Sequence, residues 1–222
     1  MKISKQLKNS SADLWNKAIS HPFTQELGRG TLSGERFRRY FLQDYVFVND
    51  LVKMTGVAVS KAPSLPLARP IDEFLSNILG AEDAFFVGAF ETLGIAESEY
   101  RKVSPLPTTA ALGNFLVRLA YEGSFTDICC AMLVTEGVYL DWGESLRDAH
   151  PEESGSEFGK FYRGWIELHT QETLGPMVNH LAAVVDMASA TEIPKLQMIF
   201  DRALRYEVAF WRMAYDDEEW PI

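Results

Sequence analysis

The chain has 222 residues and a formal net charge of −10, with 47% hydrophobic and 23% charged residues. Nucleic acids and anionic membranes are bound by clustered Lys and Arg, so this acidic balance argues against both kinds of partner. The length predicts a single domain over 1–222. No apolar run follows the polar N-terminus, and none reaches the roughly 18 residues of a membrane helix, which predicts a cytoplasmic protein.

Helical periodicity runs through almost the whole chain. Apolar residues recur at three- and four-residue spacing in segments bounded by Gly and Pro. The predicted helices are 11–20, a short one ending near 27, 35–61, 71–93, one capped by Thr108 or Thr109 and ending near 121, one from the 123–124 break to 149, 157–169, 171–187 and 192–215. Long helices with short loops predict an all-α bundle of about seven or eight helices.

Three of the long predicted helices carry an acid inside an apolar stripe: Asp44, Glu136 and Glu207. The stripes read Phe37, Phe41, Asp44, Val48, Leu51; Cys129, Met132, Glu136, Tyr139, Gly143; and Phe200, Ala203, Glu207, Phe210, Ala214. A buried carboxylate is costly without a partner or a task, so we expect the three helices to share an acidic pocket. The alternatives are salt bridges, or helix faces that tilt toward solvent.

The histidines and cysteines form no metal-ligand pattern. Di-iron bundles place Glu-x-x-His on facing helices, and no glutamate here is followed by a histidine at that spacing. Cys129 and Cys130 are adjacent, which suits neither a structural disulfide nor zinc, and we predict them to be core residues. We therefore expect no metal and no cofactor.

Aromatic residues lie close in sequence to the three acids, at Tyr40, Phe47, Tyr139, Phe210 and Trp211. Apolar surroundings raise carboxyl pKa values, so one acid can be protonated near neutral pH while another is ionised. An ionised acid accepts from an exocyclic amino group, and a protonated acid donates to a ring nitrogen. The pattern favours acid–base chemistry on a flat nitrogen heterocycle such as an aminopyrimidine.

Several short motifs occur in a fixed order: His21-Pro22-Phe23, Phe37-x-x-Tyr40-x-x-Gln43-Asp44, Pro107-Thr108-Thr109, Tyr162-x-x-Trp165-Ile166-Glu167 and Glu207-x-x-Phe210-Trp211. As an ordered set they resemble the thiaminase II (TenA) family over essentially the whole chain. The resemblance implies a haem-oxygenase-like fold and a homotetramer. It also implies a role in thiamin salvage, the hydrolysis of 4-amino-5-aminomethyl-2-methylpyrimidine to the hydroxymethyl pyrimidine, and some members also cleave thiamin.

The same resemblance implies roles for single residues. Asp44, with Tyr40 one turn before it, would bind the ring nitrogen and amino group of the substrate. Glu207 would exchange a proton with the pyrimidine. Phe47 and Tyr139 would pack on the ring or orient it.

The chain departs from the family pattern in the helix after the Gly-Ser break. Thr135-Glu136 stands where typical members have Pro-Cys with a nucleophilic cysteine, which resembles a subgroup with Glu in place of Cys. Because carboxylates are poorer nucleophiles than thiolates, we assign Glu136 to general acid–base work. Leu112 and His169 stand where members tend to have tyrosine, and His169 is either a substrate-binding residue at the leaving-group end or a helix-end histidine.

Two other functions remain open from the sequence. The missing cysteine allows a non-catalytic pyrimidine-binding or regulatory protein. An oxygen-using relative on the same fold, like the pyrroloquinoline quinone synthase family, would need His and Arg for an anionic substrate, whereas this pattern is acidic. The acidic tail 216–222 is predicted to pack on a neighbouring molecule or to fray.

Overall fold

The computed structural model describes residues 1–221, which form helices and loops without any strand in that range. The α-helices are α1 (Ile3–Ser10), α2 (Ala12–Ile19), α3 (Pro22–Gly28), α4 (Gly34–Lys61), α5 (Leu65–Asn77), α6 (Asp83–Thr92), α7 (Glu97–Tyr100), α8 (Pro107–Glu122), α9 (Phe125–Ser145), α10 (Gly159–Leu168), α11 (Gly175–Val185) and α12 (Ile193–Tyr215). None of these helices is long and apolar enough to cross a membrane. The all-α prediction is confirmed.

The helices are more numerous than the seven or eight predicted. One reason is that the predicted helix 71–93 begins earlier and changes geometry midway: α5 leads into a π-helical turn, Ile78–Glu82, and then into α6. Pro66 lies in the first turn of α5, where a missing N–H costs nothing, so the prolines do not delay the helix start as the sequence suggested. A further short helix, α1, lies in the polar N-terminus.

The chain forms two compact units, and each is described by itself. The first unit comprises Met1–Ser33 and Thr126–Trp211. Its long-range contacts include a hydrogen bond from Trp15 Nε1 to Asp141 Oδ2 at 2.8 Å and one from Tyr162 Oη to the Leu32 carbonyl at 3.0 Å. These bonds give the polar atoms of two buried aromatic side chains a hydrogen-bond partner.

The second unit comprises Gly34–Phe125 and the C-terminal residues from Arg212. In it α4 packs against α8, α5 and the π turn. Rings of α4 contact rings of α6: Phe41 lies 5.1 Å from Phe86, and Tyr45 lies 5.3 Å from Phe90, between ring centroids. These contacts hold the part of α4 around Asp44 against α6.

The C-terminal segment packs on its own unit, which corrects two sequence predictions. Glu218 accepts from the Thr108 amide at 3.0 Å and from the Thr108 hydroxyl at 2.7 Å. Trp220 Nε1 donates to the Pro105 carbonyl at 3.1 Å. The tail up to residue 221 therefore neither frays nor needs a neighbouring molecule to pack on. The N-cap residue of α8 is Leu106, and the orphan amide of Thr108 is satisfied by Glu218 rather than by a threonine cap.

Candidate active-site residues

Two of the three predicted acids, Glu136 and Glu207, belong to the first unit. Glu136 in α9 is 8% exposed and Glu207 in α12 is 2% exposed. The Thr135 hydroxyl donates to Glu136 Oε1 at 3.0 Å. Glu136 lies one turn before Tyr139, Glu207 lies one turn before Trp211, and these two rings are 5.3 Å apart. Residues three or four apart share a helix face, so the faces that carry the two glutamates pack together.

His169, at the C-terminal end of α10, is buried among aromatic rings of the first unit. Its ring lies 4.9 Å from Tyr139 and 4.5 Å from Trp165. Its Nδ1 lies 2.7 Å from the Trp165 carbonyl oxygen. Burial lowers the pKa of His169 to about 4, so the ring is neutral near pH 7. A carbonyl can only accept, so Nδ1 carries the proton and Nε2 is left as an acceptor.

The indole of Trp142 adds a donor beside His169. The two rings are 5.5 Å apart, and Trp142 is fully buried. Its Nε1–H has no hydrogen-bond acceptor among the described residues. A buried donor of this kind calls for a ligand or an ordered water. Trp142 was not predicted as a site residue, because the sequence of an apolar helix such as α9 gives no sign of which indole lacks a partner.

Asp44 belongs to the second unit, with the predicted binding residues Tyr40 and Phe47 on the same helix. Asp44 is 5% exposed, Tyr40 is fully buried and Phe47 is 9% exposed. Burial, and after it the charge of Glu82, raises the pKa of Asp44 well above its ordinary value, while a hydrogen bond from the Tyr40 side chain lowers it. Tyr40 and Asp44 are thus brought together as donor and acceptor one helical turn apart.

Glu82 is a further acid of the second unit that the sequence analysis did not identify. It ends the π turn, is partly buried, and burial raises its pKa to about 7. Residues Ile78, Glu82, Phe86 and Phe90 follow each other at steps of four, and the three apolar ones are buried. Residues four apart share a helix face, so Glu82 lies on the face that carries these buried residues.

The described residues include two buried cysteines and one group of potential metal ligands. Cys129 and Cys130 are free and fully buried, as predicted for core residues, and burial raises the pKa of Cys129 to about 12. One group, His150, Glu152 and Glu153, has potential ligand atoms within 4.8 Å of one another. It lies in the surface loop before α10, and such exposed acidic groups are common without an ion.

Known proteins resemble this chain over nearly its whole length. The model of the TENA/THI-4/PQQC family matches residues 9–217. The chain belongs to this family. A family member from Helicobacter pylori, named aminopyrimidine aminohydrolase, is 28% identical over 215 residues, which cover 97% of this chain and 99% of that protein.

Solved structures of other proteins share the fold of this chain. A TenA homologue from P. horikoshii OT3 superposes with a TM-score of 0.87 at 27% identity, covering 97% of this chain and 99% of that one. A Shewanella denitrificans OS217 domain described as having a haem-oxygenase-like fold superposes with a TM-score of 0.75 at 13% identity, covering 96% and 92%. The predicted family resemblance and the haem-oxygenase-like fold are confirmed. The single shared pocket, the individual roles and the Glu-for-Cys subgroup stay predictions.

Proposed function

We propose that this protein is an aminopyrimidine aminohydrolase of thiamin salvage, which hydrolyses 4-amino-5-aminomethyl-2-methylpyrimidine to the hydroxymethyl pyrimidine. The observation that carries the proposal is a ring contact in the first unit that connects the helix turns of two buried glutamates. Glu136 and Glu207 each lie one turn from a ring, and Tyr139 and Trp211 touch. The full-length likeness to a protein named for this activity supports the same assignment.

Each carboxyl group has a role that fits its surroundings. Glu207 exchanges a proton with the pyrimidine ring, and Asp44 binds the ring nitrogen and the amino group. Glu136 acts as the general acid–base: it protonates the leaving amine or activates the attacking water. The C–N bond breaks, a C–O bond forms from water, and the amine leaves as ammonia, so no oxidant or cofactor is required.

The aromatic residues hold the flat substrate. Phe47 and Tyr139 pack on the ring or orient it, since stacked rings bury apolar area with a defined geometry. His169 serves the leaving-group end. It is neutral near pH 7 and its Nε2 can accept from the aminomethyl nitrogen.

The proposal is tested by turnover. Purified protein is incubated with the aminomethyl pyrimidine, and the hydroxymethyl product and ammonia are quantified. Glu136→Gln and Glu207→Gln are each expected to lower kcat by roughly 100-fold or more, because general acid–base catalysis contributes about 10²–10⁴-fold. Glu167→Gln is the matched control: Glu167 is 58% exposed and pairs with Arg163 on the surface of α10. Full activity in both test variants would overturn the roles assigned to these glutamates.

The same experiment separates the alternative functions. Tight binding of the pyrimidine by the unmodified protein without any turnover would indicate a non-catalytic pyrimidine carrier. Turnover that depends on oxygen would indicate an oxygen-using relative. A homotetramer and a cytoplasmic location remain expectations, which size-exclusion chromatography with light scattering and cell fractionation would test.

A further inference from the structure

Two carboxyl groups of the second unit, Asp44 and Glu82, stand on adjoining helices. The residues that follow them in sequence are hydrogen-bonded to each other: Tyr45 Oη donates to Asp83 Oδ1 at 3.1 Å. One turn before Asp44, the Phe41 ring lies 5.1 Å from that of Phe86. These contacts hold α4 against the end of the π turn, so the two acids are neighbours and their charges interact.

No cation compensates this pair among the residues described. Burial and the charge of Glu82 both disfavour the ionised form of Asp44, and the Tyr40 hydrogen bond is the opposing influence. Glu82 itself has neither a hydrogen bond nor an ion pair from its side chain within residues 1–221. The other titratable groups of α5, α6 and α8 are exposed: Arg69, Asp72, Glu73, Asp83, Glu91, Arg118, Tyr121 and Glu122.

We propose that Glu82 is a positioning residue for the proposed reaction: its negative charge near Asp44 keeps Asp44 protonated, so that Asp44 meets the aminopyrimidine as a carboxylic acid. The inference rests on the proposed function, since it assigns the protonation state in which Asp44 binds the substrate. Two like charges that interact out of water are costly to maintain together, so Asp44 keeps its proton while Glu82 is ionised.

This protonation state selects a chemical class of substrate. Asp44 as an acid donates its O–H to an unprotonated ring nitrogen and accepts from the neighbouring exocyclic amino group with its other oxygen. Tyr40 donates to the same carboxyl group. The arrangement fits the neutral form of a 4-aminopyrimidine. An ionised Asp44 would instead require a ring nitrogen that is already protonated.

Glu82 is the last residue of the π turn. It lies four residues from Ile78 and four from Phe86, which are 1% and 0% exposed, and so shares their buried helix face. Single π turns of this kind occur often at functional sites.

The test measures the proton on Asp44 directly. Carboxyl groups are labelled with carbon-13 and titrated by NMR in the ligand-free protein, assigned with Asp44→Asn and Glu82→Gln. In the unmodified protein we expect the pair to titrate in two steps, one of them near neutral pH. In Glu82→Gln we expect Asp44 to titrate about one pH unit or more lower, because its like-charged neighbour is gone.

Ligand binding supplies the second readout. Binding of the hydroxymethyl pyrimidine is measured by calorimetry from pH 5 to 9. The highest pH at which it binds tightly should be lower in Glu82→Gln than in the unmodified protein, by about the same one pH unit. Glu91→Gln is the matched control, since Glu91 is an exposed residue of α6 whose side chain makes no hydrogen bond or ion pair within residues 1–221. A purely structural role for Glu82 would change thermal stability and leave both pH profiles in place.

The outcomes separate this inference from the proposed function. Unchanged Asp44 titration in Glu82→Gln, or ordinary one-step titration of both acids in the unmodified protein, would overturn the inference. The second result requires no variant to fold. Absence of turnover with an intact Asp44–Glu82 coupling would count against the hydrolase proposal alone, and normal turnover with an unchanged Glu82→Gln profile would count against the inference alone.

Discussion

Gly143 of α9 lies directly against the backbone of His169. A Cβ atom at Gly143 would stand 2.3 Å from the His169 carbonyl oxygen and 2.8 Å from the His169 Cβ. Both distances are far below van der Waals contact, and the atoms involved are backbone or close to it, so they cannot swing aside. The missing side chain at Gly143 is therefore what allows the end of α10, with its buried histidine, to close on α9.

Gly143→Ala is expected to destabilise the protein. The added methyl group must displace the His169 backbone, and overpacking of a filled interior costs about 1–3 kcal/mol. Urea denaturation should show a lower free energy of unfolding. Turnover of the aminomethyl pyrimidine should fall as well, because the His169 ring would shift relative to Tyr139.

Gly56→Ala provides the matched control for that substitution. Gly56 lies inside α4, and a Cβ there would meet nothing within 4 Å. Alanine is the better helix former, so this variant should gain about 0.5–1 kcal/mol. Equal effects of the two substitutions would contradict the close approach of Gly143 to His169.

His169 should make the protein less stable as the pH falls. Its pKa is about 4 in the folded state and roughly 6.5 when unfolded. Below pH 6.5 the unfolded chain therefore binds a proton that the folded protein excludes. The contribution of the neutral His169 ring to the free energy of unfolding is therefore complete above pH 6.5 and declines toward pH 4. At pH 5 it has fallen by about 2 kcal/mol.

Comparison with His169→Phe isolates that contribution. Asp44 and Glu82 have raised pKa values, so their effect on stability has the opposite sign, and the unmodified protein alone would show only the sum. The difference in unfolding free energy, unmodified minus variant, should shrink by about 2 kcal/mol between pH 7.5 and 5. A difference that does not vary with pH would show that His169 is not buried as a neutral ring. His150→Gln, at an exposed histidine, serves as the control.

The sequence predicted three of the buried acids and missed Glu82. Asp44, Glu136 and Glu207 interrupt long apolar stripes, and they are 5%, 8% and 2% exposed. Glu82 lies at helical spacing between Ile78 and Phe86, but whether an acid on such a face is covered depends on the helix that packs against it, here α4, which the sequence does not reveal.

Long-range contacts set the second limit of prediction. Glu218 caps α8 from 110 residues away, so local capping rules wrongly favoured Thr108 or Thr109. The proton position on His169 depends on a carbonyl one turn back and on rings from α9, which no single segment encodes. Periodicity thus identifies buried faces, whereas tertiary contacts decide what those faces do.

Cys129 and Cys130 should be unreactive in the folded protein. Both are fully buried, burial raises the pKa of Cys129 to about 12, and Cys130 Sγ donates to the Leu196 carbonyl at 3.4 Å. A thiol reagent at pH 8 should label neither cysteine in the native protein and both after denaturation, because the thiolate is the reactive form. Turnover should survive treatment with iodoacetamide. Rapid native labelling with loss of turnover would instead indicate a thiol nucleophile.

Glu218→Gln should weaken the attachment of the C-terminal segment to α8. Glu218 accepts from the amide and the hydroxyl of Thr108 through its two oxygens, and a glutamine retains one acceptor and adds a donor that Thr108 cannot satisfy as well. The negative charge near the helix N-terminus is also lost. Loss of a capping interaction costs about 1 kcal/mol, which urea denaturation resolves. Glu219→Gln makes the same change at an exposed neighbour whose side chain makes no hydrogen bond or ion pair within residues 1–221, and it should leave stability unaltered. Limited proteolysis gives an independent reading: the segment after Tyr215 should be cut faster in Glu218→Gln than in Glu219→Gln, and equal rates would show that Glu218 does not hold the segment in place.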